Sequence, residues 1–145
     1  MYNHLRGRIT EKSPTHVVID CNGVGYHVHI SLNTFSRLGD GEAGMLFTHL
    51  AVKEDAHTLY GFSEEEERRL FRQLISVSGI GAATAMVILS SLPAPDLKQA
   101  IITGDVALLQ RIKGIGAKTA QRVIIDLKDK FGKEPLTVQG QQASG

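Results

Sequence analysis

One short sequence motif occurs twice in this chain of 145 residues, and its residue types suit the binding of phosphate. The segment Val77–Ala85 returns 35 residues later as Ile112–Ala120, and each copy has Gly-Ile-Gly at its centre. Such self-similarity indicates two copies of one structural unit. Each copy reads as the end of an apolar helix, a tight turn and the start of a second helix. The glycines let the backbone turn sharply and leave no Cβ in front of the following amides.

The second helix of each copy should therefore begin with unpaired N–H groups at the positive end of its dipole, which is a phosphate-binding arrangement. The predicted phosphate-binding residues are Gly79, Gly81, Ala82 and Thr84 in the first copy, and Gly114, Gly116, Ala117, Lys118, Thr119 and Arg122 in the second. Backbone amides cannot distinguish bases. Binding to nucleic acid should therefore be independent of sequence and strongly dependent on salt.

Two better-known phosphate loops do not fit these copies. A dinucleotide fingerprint needs a third glycine and a preceding strand, whereas Thr84 and Thr119 stand in the third position and a helix precedes each turn. A nucleotide-binding loop of the Walker type would need Gly-Lys-Ser/Thr, which the sequence lacks. Helices that simply break at glycine would explain one copy well but two matched copies poorly. The pair therefore favours a nucleic-acid backbone.

Charge is divided unevenly along the chain, although the net charge is only +1. Residues 1–67 carry 5 Lys and Arg against 10 Asp and Glu, whereas residues 68–145 carry 11 against 5. This asymmetry suggests that the second half meets an anion, with random scatter as the alternative.

Composition is that of a soluble globular protein, with 42% hydrophobic and 21% charged residues. The single cysteine, Cys21, excludes an internal disulfide and fits a reducing compartment. The sequence shows neither a signal peptide nor an apolar run long enough to cross a bilayer, so we expect a cytoplasmic protein without a membrane partner.

The first sixty residues read as strands around a short helix. The predicted strands are Leu5–Lys12, His16–Cys21, Val24–Ser31, Met45–Val52 and Thr58–Phe62, and the helix is Asn33–Leu38. Asn22-Gly23 between the second and third strands is a strong hairpin signal. Five strands with a helix between the third and fourth follow the order of an OB-type barrel, with a generic small β-barrel as the alternative.

Helical periodicity begins after Phe62. Ser63 and Glu66 predict a capping box, and the run Glu64–Glu67 should lie at the positive end of the helix dipole rather than form a metal or partner site. The predicted apolar face of this helix is Leu70, Phe71, Leu74 and Ile75. Later helices are expected to end at Leu92 before Pro93 and Pro95, to span Asp96–Ile102, to span Val106–Ile112 behind the cap Asp105, and to span Ala117–Phe131 before Gly132.

The predicted fold class is α+β: an N-terminal five-stranded OB-type barrel followed by an all-α domain that holds both repeats. The expected divisions are a barrel domain at 1–63, a helical domain at 64–132 and a flexible linker at 133–145, where Pro, Gln, Gly and Ser dominate.

Two further groups of polar residues are weaker signals. Glu54 and Asp55 stand together at the predicted tip between the last two strands, where a solvated turn is the simplest interpretation. His27 and His29 share one strand face, yet no cysteine or carboxylate set completes a chelate at recognisable spacing. We therefore expect no metal, no cofactor and no catalytic residue.

A series of short motifs extends along most of the chain: Leu5-Arg6-Gly7, Asn22-Gly23-Val24-Gly25-Tyr26, Phe47-Thr48-His49, Glu54-Asp55-Ala56, Leu59-Tyr60-Gly61-Phe62 and Lys113-Gly114-Ile115-Gly116. The two repeats resemble paired helix-hairpin-helix motifs. The whole order, over roughly residues 1–132, resembles the RuvA family of bacterial Holliday-junction-binding proteins. The resemblance implies an OB-fold domain, a double helix-hairpin-helix domain, a flexible linker and a third domain that docks the RuvB motor.

The resemblance also implies a function and partners. It makes Glu54 and Asp55 an acidic pin at the centre of a homotetramer, or of each half of an octamer, facing the crossover of a four-way DNA junction. RuvB would supply ATP hydrolysis in recombination and repair, and the RuvC resolvase is a further implied partner. No counterpart of the third domain follows in these 145 residues, so we expect junction binding without stimulation of RuvB.

One departure from the family pattern concerns charge. Such hairpins often carry lysine soon after the second glycine, whereas Ala82 and Ala83 occupy these places in the first copy and Ala117 begins the second. The departure places more weight on Lys118 and Arg122.

Two other classes of protein are alternatives. A helix-hairpin-helix subunit of a nuclease or glycosylase would need a catalytic Lys/Asp pair or a carboxylate–metal cluster near a hairpin, and the sequence shows neither at recognisable spacing. An OB protein that binds single strands would need aromatic platforms. Tyr26, Phe47 and Tyr60 are few and read as core.

Overall fold

The computed structural model describes residues 2–133, which form five strands and then, apart from one early helix, a layer of helices. The strands are β1 His4–Lys12, β2 His16–Cys21, β3 Val24–Ile30, β4 Ala43–Lys53 and β5 Ala56–Phe62. The helices are α1 Leu32–Leu38, α2 Glu65–Ile75, α3 Ala82–Ser91, α4 Ala94–Thr103, α5 Val106–Gln110 and α6 Ala117–Lys133. Within residues 2–133, every helix is too short or too polar to span a membrane.

The strands close into a barrel in the order β1-β2-β3-β5-β4. All neighbouring pairs are antiparallel except β3 and β5, which run parallel and close the barrel after the chain has passed through α1 and β4. Asn22 and Gly23 both have positive φ, 54° and 93°, as the predicted turn between β2 and β3 requires. The predicted α+β class, with an OB-type barrel before a tandem helix-hairpin-helix layer, is confirmed.

Two apolar clusters form the interior. Alternating side chains of the strands fill the barrel: Leu5, Val17, Ile19, Val28, Ile30 and Leu46 are buried. The helical layer has its own, larger cluster, which includes Leu70, Phe71 and Leu74 of the predicted apolar face of α2, while Ile75 is half-buried. Phe62 at the end of β5 is buried in the helical cluster, with its ring 5.1 Å from the ring of Phe71. The barrel and the helices therefore pack against each other directly, and the division into domains at residue 63 stays a prediction.

The predicted capping box at Ser63 is wrong. Helix α2 begins at Glu65 behind an extended Glu64, and no side chain caps it. The Ser63 N–H donates to Thr34 Oγ1 over 3.2 Å, and the Ser63 hydroxyl is buried without a hydrogen-bond partner in the described part of the chain. Glu66 reaches Lys98 instead, at 3.1 Å. Contacts with α1 and α4 have replaced the local cap.

Several predicted ends also differ from the structure. Helix α4 begins at Ala94, so that Pro95 lies within its first turn, where the missing N–H costs nothing, instead of preceding the helix. Ser31 is not a strand residue but the N-cap of α1, and its side chain accepts from the Thr34 N–H. Helix α5 ends at Gln110, although Asp105 caps it as predicted by accepting from Leu108 N.

The last helix also extends further than predicted. Helix α6 continues through Gly132 to Lys133, so Gly132 does not end it and Lys133 does not begin a linker. Burial of Phe131 in the helical cluster holds the last turn against the layer, and glycine inside a helix costs only about 1 kcal/mol. The remainder of the predicted linker, 134–145, lies outside the described residues.

Candidate nucleic-acid interface

The two repeats adopt the same backbone hydrogen bonding. We call Val77–Ala85 the first hairpin and Ile112–Ala120 the second hairpin. Ile80 N donates to Val77 O over 3.1 Å, and its counterpart Ile115 N donates to Ile112 O over 3.0 Å. The first turn of the next helix closes with a bond of 3.0 Å in both copies, from Ala85 N to Gly81 O and from Ala120 N to Gly116 O. The repeat in sequence is thus a repeat in structure.

The first glycine of each turn is required by the backbone. Gly79 and Gly114 have φ of 93° and 87°, a region that side chains with a Cβ rarely occupy. The second glycine is not required in this way. Gly81 is the N-cap of α3 in an extended conformation, φ −89° and ψ 177°, and Gly116 does not have positive φ.

The space in front of the glycines is open. A Cβ added to Gly79, Gly81, Gly114 or Gly116 would meet no atom of the described protein within 4 Å. No side chain caps α3, so the amides of its first turn point into this open space. The protein's own packing therefore gives no reason for glycine at positions 81 and 116. Close approach of a ligand to the backbone would supply one.

Apolar side chains behind the turns hold them in place. Val77 and Ile80 of the first hairpin, and Ile112 and Ile115 of the second, are at most 6% exposed and belong to the helical cluster. The turns are therefore anchored on a packed layer, which presents their amides at defined positions.

Side chains with hydroxyl groups and positive charge lie on the same turns and on the helices that follow them. Thr84 and Thr119 are half-buried, and Lys118 and Arg122 are exposed on the first turns of α6. Two further cations, which were not among the predicted residues, are exposed on the other side of the second turn: Arg111 and Lys113. None of these four cations forms an ion pair within residues 2–133. The signal that could have identified the added two is their position immediately before the second Gly-Ile-Gly.

The two hairpins therefore differ in charge. No lysine or arginine occurs between residues 73 and 97, so the first hairpin itself offers amides and the hydroxyls of Ser78 and Thr84. The second continues into an open groove of about 380 Å³ along α6, lined by Lys118, Gln121, Arg122, Ile125 and Asp126.

Glu54 and Asp55 form the two-residue connection between β4 and β5, because Lys53 pairs with Ala56. Both carboxylates are exposed, and we call this pair the acidic turn. The acidic turn lies on the barrel, apart in sequence and element from the hairpins of the helical layer. Its role as a pin stays a prediction.

The aromatic residues considered for base stacking and the histidines considered for metal binding contact other protein side chains. Phe47 lies under the Arg68 guanidinium, 5.4 Å from ring centre to Cζ, and Tyr60 packs on Phe71 at 5.1 Å. His16, His27 and His29 form a row on the barrel, with ring centres 4.6 and 5.1 Å apart. Within the described residues, no group of three or more His, Cys, Asp or Glu side chains could hold a metal ion.

A barrel of five strands followed by two helix-hairpin-helix units with open amide turns defines a class of DNA-binding proteins. Residues 1–61 match the family described as RuvA N terminal domain, and residues 71–129 match the family described as SAM-like Helix-hairpin-helix tandem.

Whole-chain relatives give the same result. The chain is 61% identical over 133 residues to the Holliday junction branch migration complex subunit RuvA of Christiangramia forsetii, covering 92% of this chain and 69% of that protein. It is 58% identical to the subunit of the same name from Flavobacterium psychrophilum, with the same coverage of both chains. It is 51% identical over 144 residues to that of Bacteroides thetaiotaomicron, covering 99% of this chain and 72% of the relative. The chain belongs to the RuvA family.

Proposed function

We propose that this protein binds four-way junction DNA without regard to sequence, as the non-motor subunit of a branch migration complex in recombination and repair. The observation that carries the proposal is the pair of matched hairpins, whose amide turns face open space at the second glycine of each. Membership of the RuvA family, and the name that its relatives bear, indicate the junction as the substrate.

The hairpins would hold the sugar-phosphate backbone of each duplex arm. A phosphate lying next to Gly116 would meet the N–H groups at the start of α6 and the positive end of that helix, with Lys118 and Arg122 beside it. The first hairpin would hold a second phosphate without the help of a cation of its own. Neither contact reads a base, which suits a protein that must accept every sequence passing through the junction.

The hairpins attract phosphates, whereas the acidic turn would repel them. Two exposed carboxylates repel phosphates, so a position near the crossover would keep strands apart where four arms meet. Four copies arranged with fourfold symmetry would bring four acidic turns to one axis and present eight hairpins to four arms, holding the junction open and flat.

Chemistry would be supplied by partners. The sequence lacks a Walker-type loop, so the RuvB ATPase would hydrolyse ATP and drive migration, and the RuvC resolvase would cut the junction. On this proposal the protein needs no cofactor and has no catalytic site of its own. It would act in the cytoplasm, where the bacterial chromosome lies.

A mobility-shift titration tests the proposal by comparing a four-way junction, a linear duplex and a single strand across salt concentrations. We expect the junction to bind most tightly, and the affinity for it to fall steeply with salt. Sedimentation of the complex should show four or eight subunits per junction. Equal affinity for all three DNAs would overturn the proposal.

The alternative, a subunit of a nuclease or glycosylase, is tested by incubating junction and duplex DNA with the protein and Mg²⁺ or Mn²⁺. We expect intact DNA. Metal-dependent cleavage products that disappear with EDTA would favour the alternative.

A further inference from the structure

Two consecutive charged residues of α2 are buried and reach into the barrel at different places. Glu67 is 3% exposed, and its carboxylate accepts from Ser31 Oγ at 2.7 Å and from Thr34 Oγ1 at 2.8 Å. Ser31 and Thr34 are both buried at the start of α1. Glu67 thereby attaches α2 to the helix that crosses the barrel between β3 and β4.

Arg68 reaches the beginning and middle of the sheet. It is 6% exposed, and its Nη1 donates to Asn3 O at 2.7 Å, to Asn3 Oδ1 at 3.2 Å and to Thr48 O at 3.2 Å. The guanidinium also lies over the ring of Phe47. Arg68 thereby fixes α2 to β4 and to the residue before β1.

A third attachment holds the helix that follows the first hairpin. Asn33 Nδ2 donates to Leu89 O at 2.6 Å and to Leu92 O at 3.0 Å, and Leu32 N donates to Ser90 Oγ at 3.0 Å. These bonds tie the C-terminal end of α3 to α1. The N-terminal end of the same helix carries the open amides of the first hairpin.

These attachments are directional, which distinguishes them from the apolar contact at Phe62 and Phe71. Buried charges are costly to desolvate, and apolar side chains of similar volume often stabilise a protein equally well. Hydrogen bonds with fixed geometry instead limit how one layer can rotate on another. Glu67, Arg68 and Asn33 thus fix the helical layer in one orientation on the barrel.

Orientation matters because the two kinds of DNA contact lie on different layers. The hairpins belong to the helices, whereas the acidic turn belongs to the barrel. A linear duplex needs only the hairpins. A branched DNA needs the hairpins and the acidic turn at matching positions. Rotation of one layer on the other would therefore spoil binding of the junction and spare binding of the duplex.

We propose that Glu67 and Arg68, assisted by Asn33, are positioning residues that set the hairpins relative to the acidic turn and so determine selectivity for branched over linear DNA. The proposal rests on the proposed function. It assigns to the buried bonds of α2 a role beyond stability.

The test compares Arg68→Ala with its neighbour Arg69→Ala in the full chain. Arg69 is exposed, and the ion pair that it makes within residues 2–133 is a long one, 3.9 Å to Glu65, so it is a matched control for loss of one arginine from the same helix. Arg68→Lys restores a cation and donors without the planar fork. The readouts are the dissociation constants for a four-way junction and for a linear duplex.

We expect Arg68→Ala to lower the junction preference roughly tenfold while the affinity for duplex stays within about twofold of wild type. Arg69→Ala should leave both constants unchanged, and Arg68→Lys should recover part of the preference. If Arg68 had a merely structural role, Arg68→Ala would weaken the binding of junction and duplex by the same factor. If Arg68→Ala does not fold, Asn33→Ala removes the bonds to Leu89 and Leu92 together with the hydrogen bond from Asn33 to Glu67, and it should reduce the preference in the same direction.

A distance measurement tests the orientation without DNA. Spin labels at Val52→Cys on β4 and Ile102→Cys on α4, both exposed sites, are introduced in a Cys21→Ala background. The distance distribution should be narrow in the parent protein and broader in Arg68→Ala. A distribution that stays narrow in the folded variant, or a junction preference that survives a broad one, overturns the positioning role alone. A wild-type protein without junction preference overturns the proposed function as well.

Discussion

Gly79 and Gly114 occupy the same place in two copies of one turn, with φ of 93° and 87° and open space where each would carry a Cβ. Valine at Gly114 would test the phosphate site, but it would also strain the turn because of the positive φ. Gly81 avoids this difficulty. Its backbone is extended, so a side chain there fits the fold and stands directly before the amides of α3.

Gly81→Asp should therefore separate stability from DNA binding. Asp is a favourable N-cap, and its carboxylate would accept from the first-turn amides, so the free energy of unfolding should rise by about 0.5 kcal/mol. The same carboxylate would occupy the phosphate site and repel the phosphate, and junction affinity should fall roughly tenfold. Urea unfolding and mobility-shift titration measure the two effects.

The control for Gly81→Asp is Gly41→Asp, because Gly41 also lacks positive φ and a Cβ there would meet only Ala43 O at 4.0 Å. It adds the same charge to the barrel and should leave junction affinity within about twofold of wild type. A gain in stability at Gly81 with unchanged affinity would contradict phosphate binding at the first hairpin.

Lys118→Ala with Arg122→Ala should reduce the salt dependence of binding. Both side chains are exposed without an ion pair in residues 2–133, so their removal costs little stability. For every phosphate that the variant no longer neutralises, the slope of log K against log[salt] should become shallower by about 0.9. Binding constants between low and moderate salt give the slope.

Lys130→Ala, exposed near the other end of α6, is the matched control and should keep the wild-type slope. If the control and the double variant change the slope equally, the second hairpin contributes general positive charge and not a defined contact.

The acidic turn is tested by Glu54→Gln with Asp55→Asn. Loss of two exposed negative charges should raise affinity for linear duplex several-fold by removing repulsion, and the preference for the junction should fall. Asp40→Asn with Glu42→Gln makes the same charge change at exposed positions elsewhere on the barrel. If both double variants change duplex affinity and junction preference equally, the effect comes from net charge and not from the position of the acidic turn.

Local signals were sufficient for the repeated parts of the fold. The hairpin at Asn22-Gly23 and the turns at Gly79 and Gly114 have positive φ. Glycine and asparagine adopt positive φ more readily than other residues, so these residue types predict the turns from the sequence. The predicted phosphate-binding residues follow from the same turns. Arg111 and Lys113 were missed, although their position just before the second Gly-Ile-Gly was a signal available in the sequence.

The joint between barrel and helices could not be read from sequence in the same way. Four consecutive glutamates look like a solvated first turn, yet Glu67 turns inward because Ser31 and Thr34, more than thirty residues earlier, offer hydroxyl donors. A second contact with Thr34, from the Ser63 N–H to Thr34 Oγ1, takes the place of the predicted capping box, and α2 begins at Glu65. Tertiary partners of this kind carry no periodicity and no local motif.

From the row of His16, His27 and His29 we expect the free energy of unfolding to fall in mild acid. Burial lowers the pKa of His29, and the neighbouring His27 and then His16 lower it further. The ring of Tyr60 lies 5.7 Å from that of His29, and Glu11 lies 2.7 Å from His16. Below about pH 6.5 the unfolded chain binds protons that folded His29 resists, so the free energy of unfolding should fall as pH falls through this range.

His27→Gln removes one of the repelling charges and should reduce that loss, measured by urea unfolding at neutral and mildly acidic pH. His57→Gln, at an exposed position on β5, is the control and should follow the wild-type curve. Identical pH curves for wild type and His27→Gln would show that the row does not act as a unit.

For Glu67 we expect the free energy of unfolding to depend on pH with the opposite sign. Burial raises the pKa of its carboxyl, although the hydrogen bonds from Ser31 and Thr34 act to lower it. A raised pKa means that the folded protein holds this proton more tightly than the unfolded chain. Its contribution is therefore fully present below the unfolded value of about 4.3 and is lost as pH rises through the folded value.

Glu67→Gln should remove this dependence while keeping the shape of the side chain and an acceptor for one hydroxyl. Urea unfolding in steps upward from pH 4 should show the variant gaining stability relative to wild type as the wild-type carboxyl ionises. Glu65→Gln, exposed near the start of the same helix, should not reproduce the change. A constant difference between Glu67→Gln and wild type at every pH would mean that Glu67 does not titrate in this range and that its buried contacts alone set its effect.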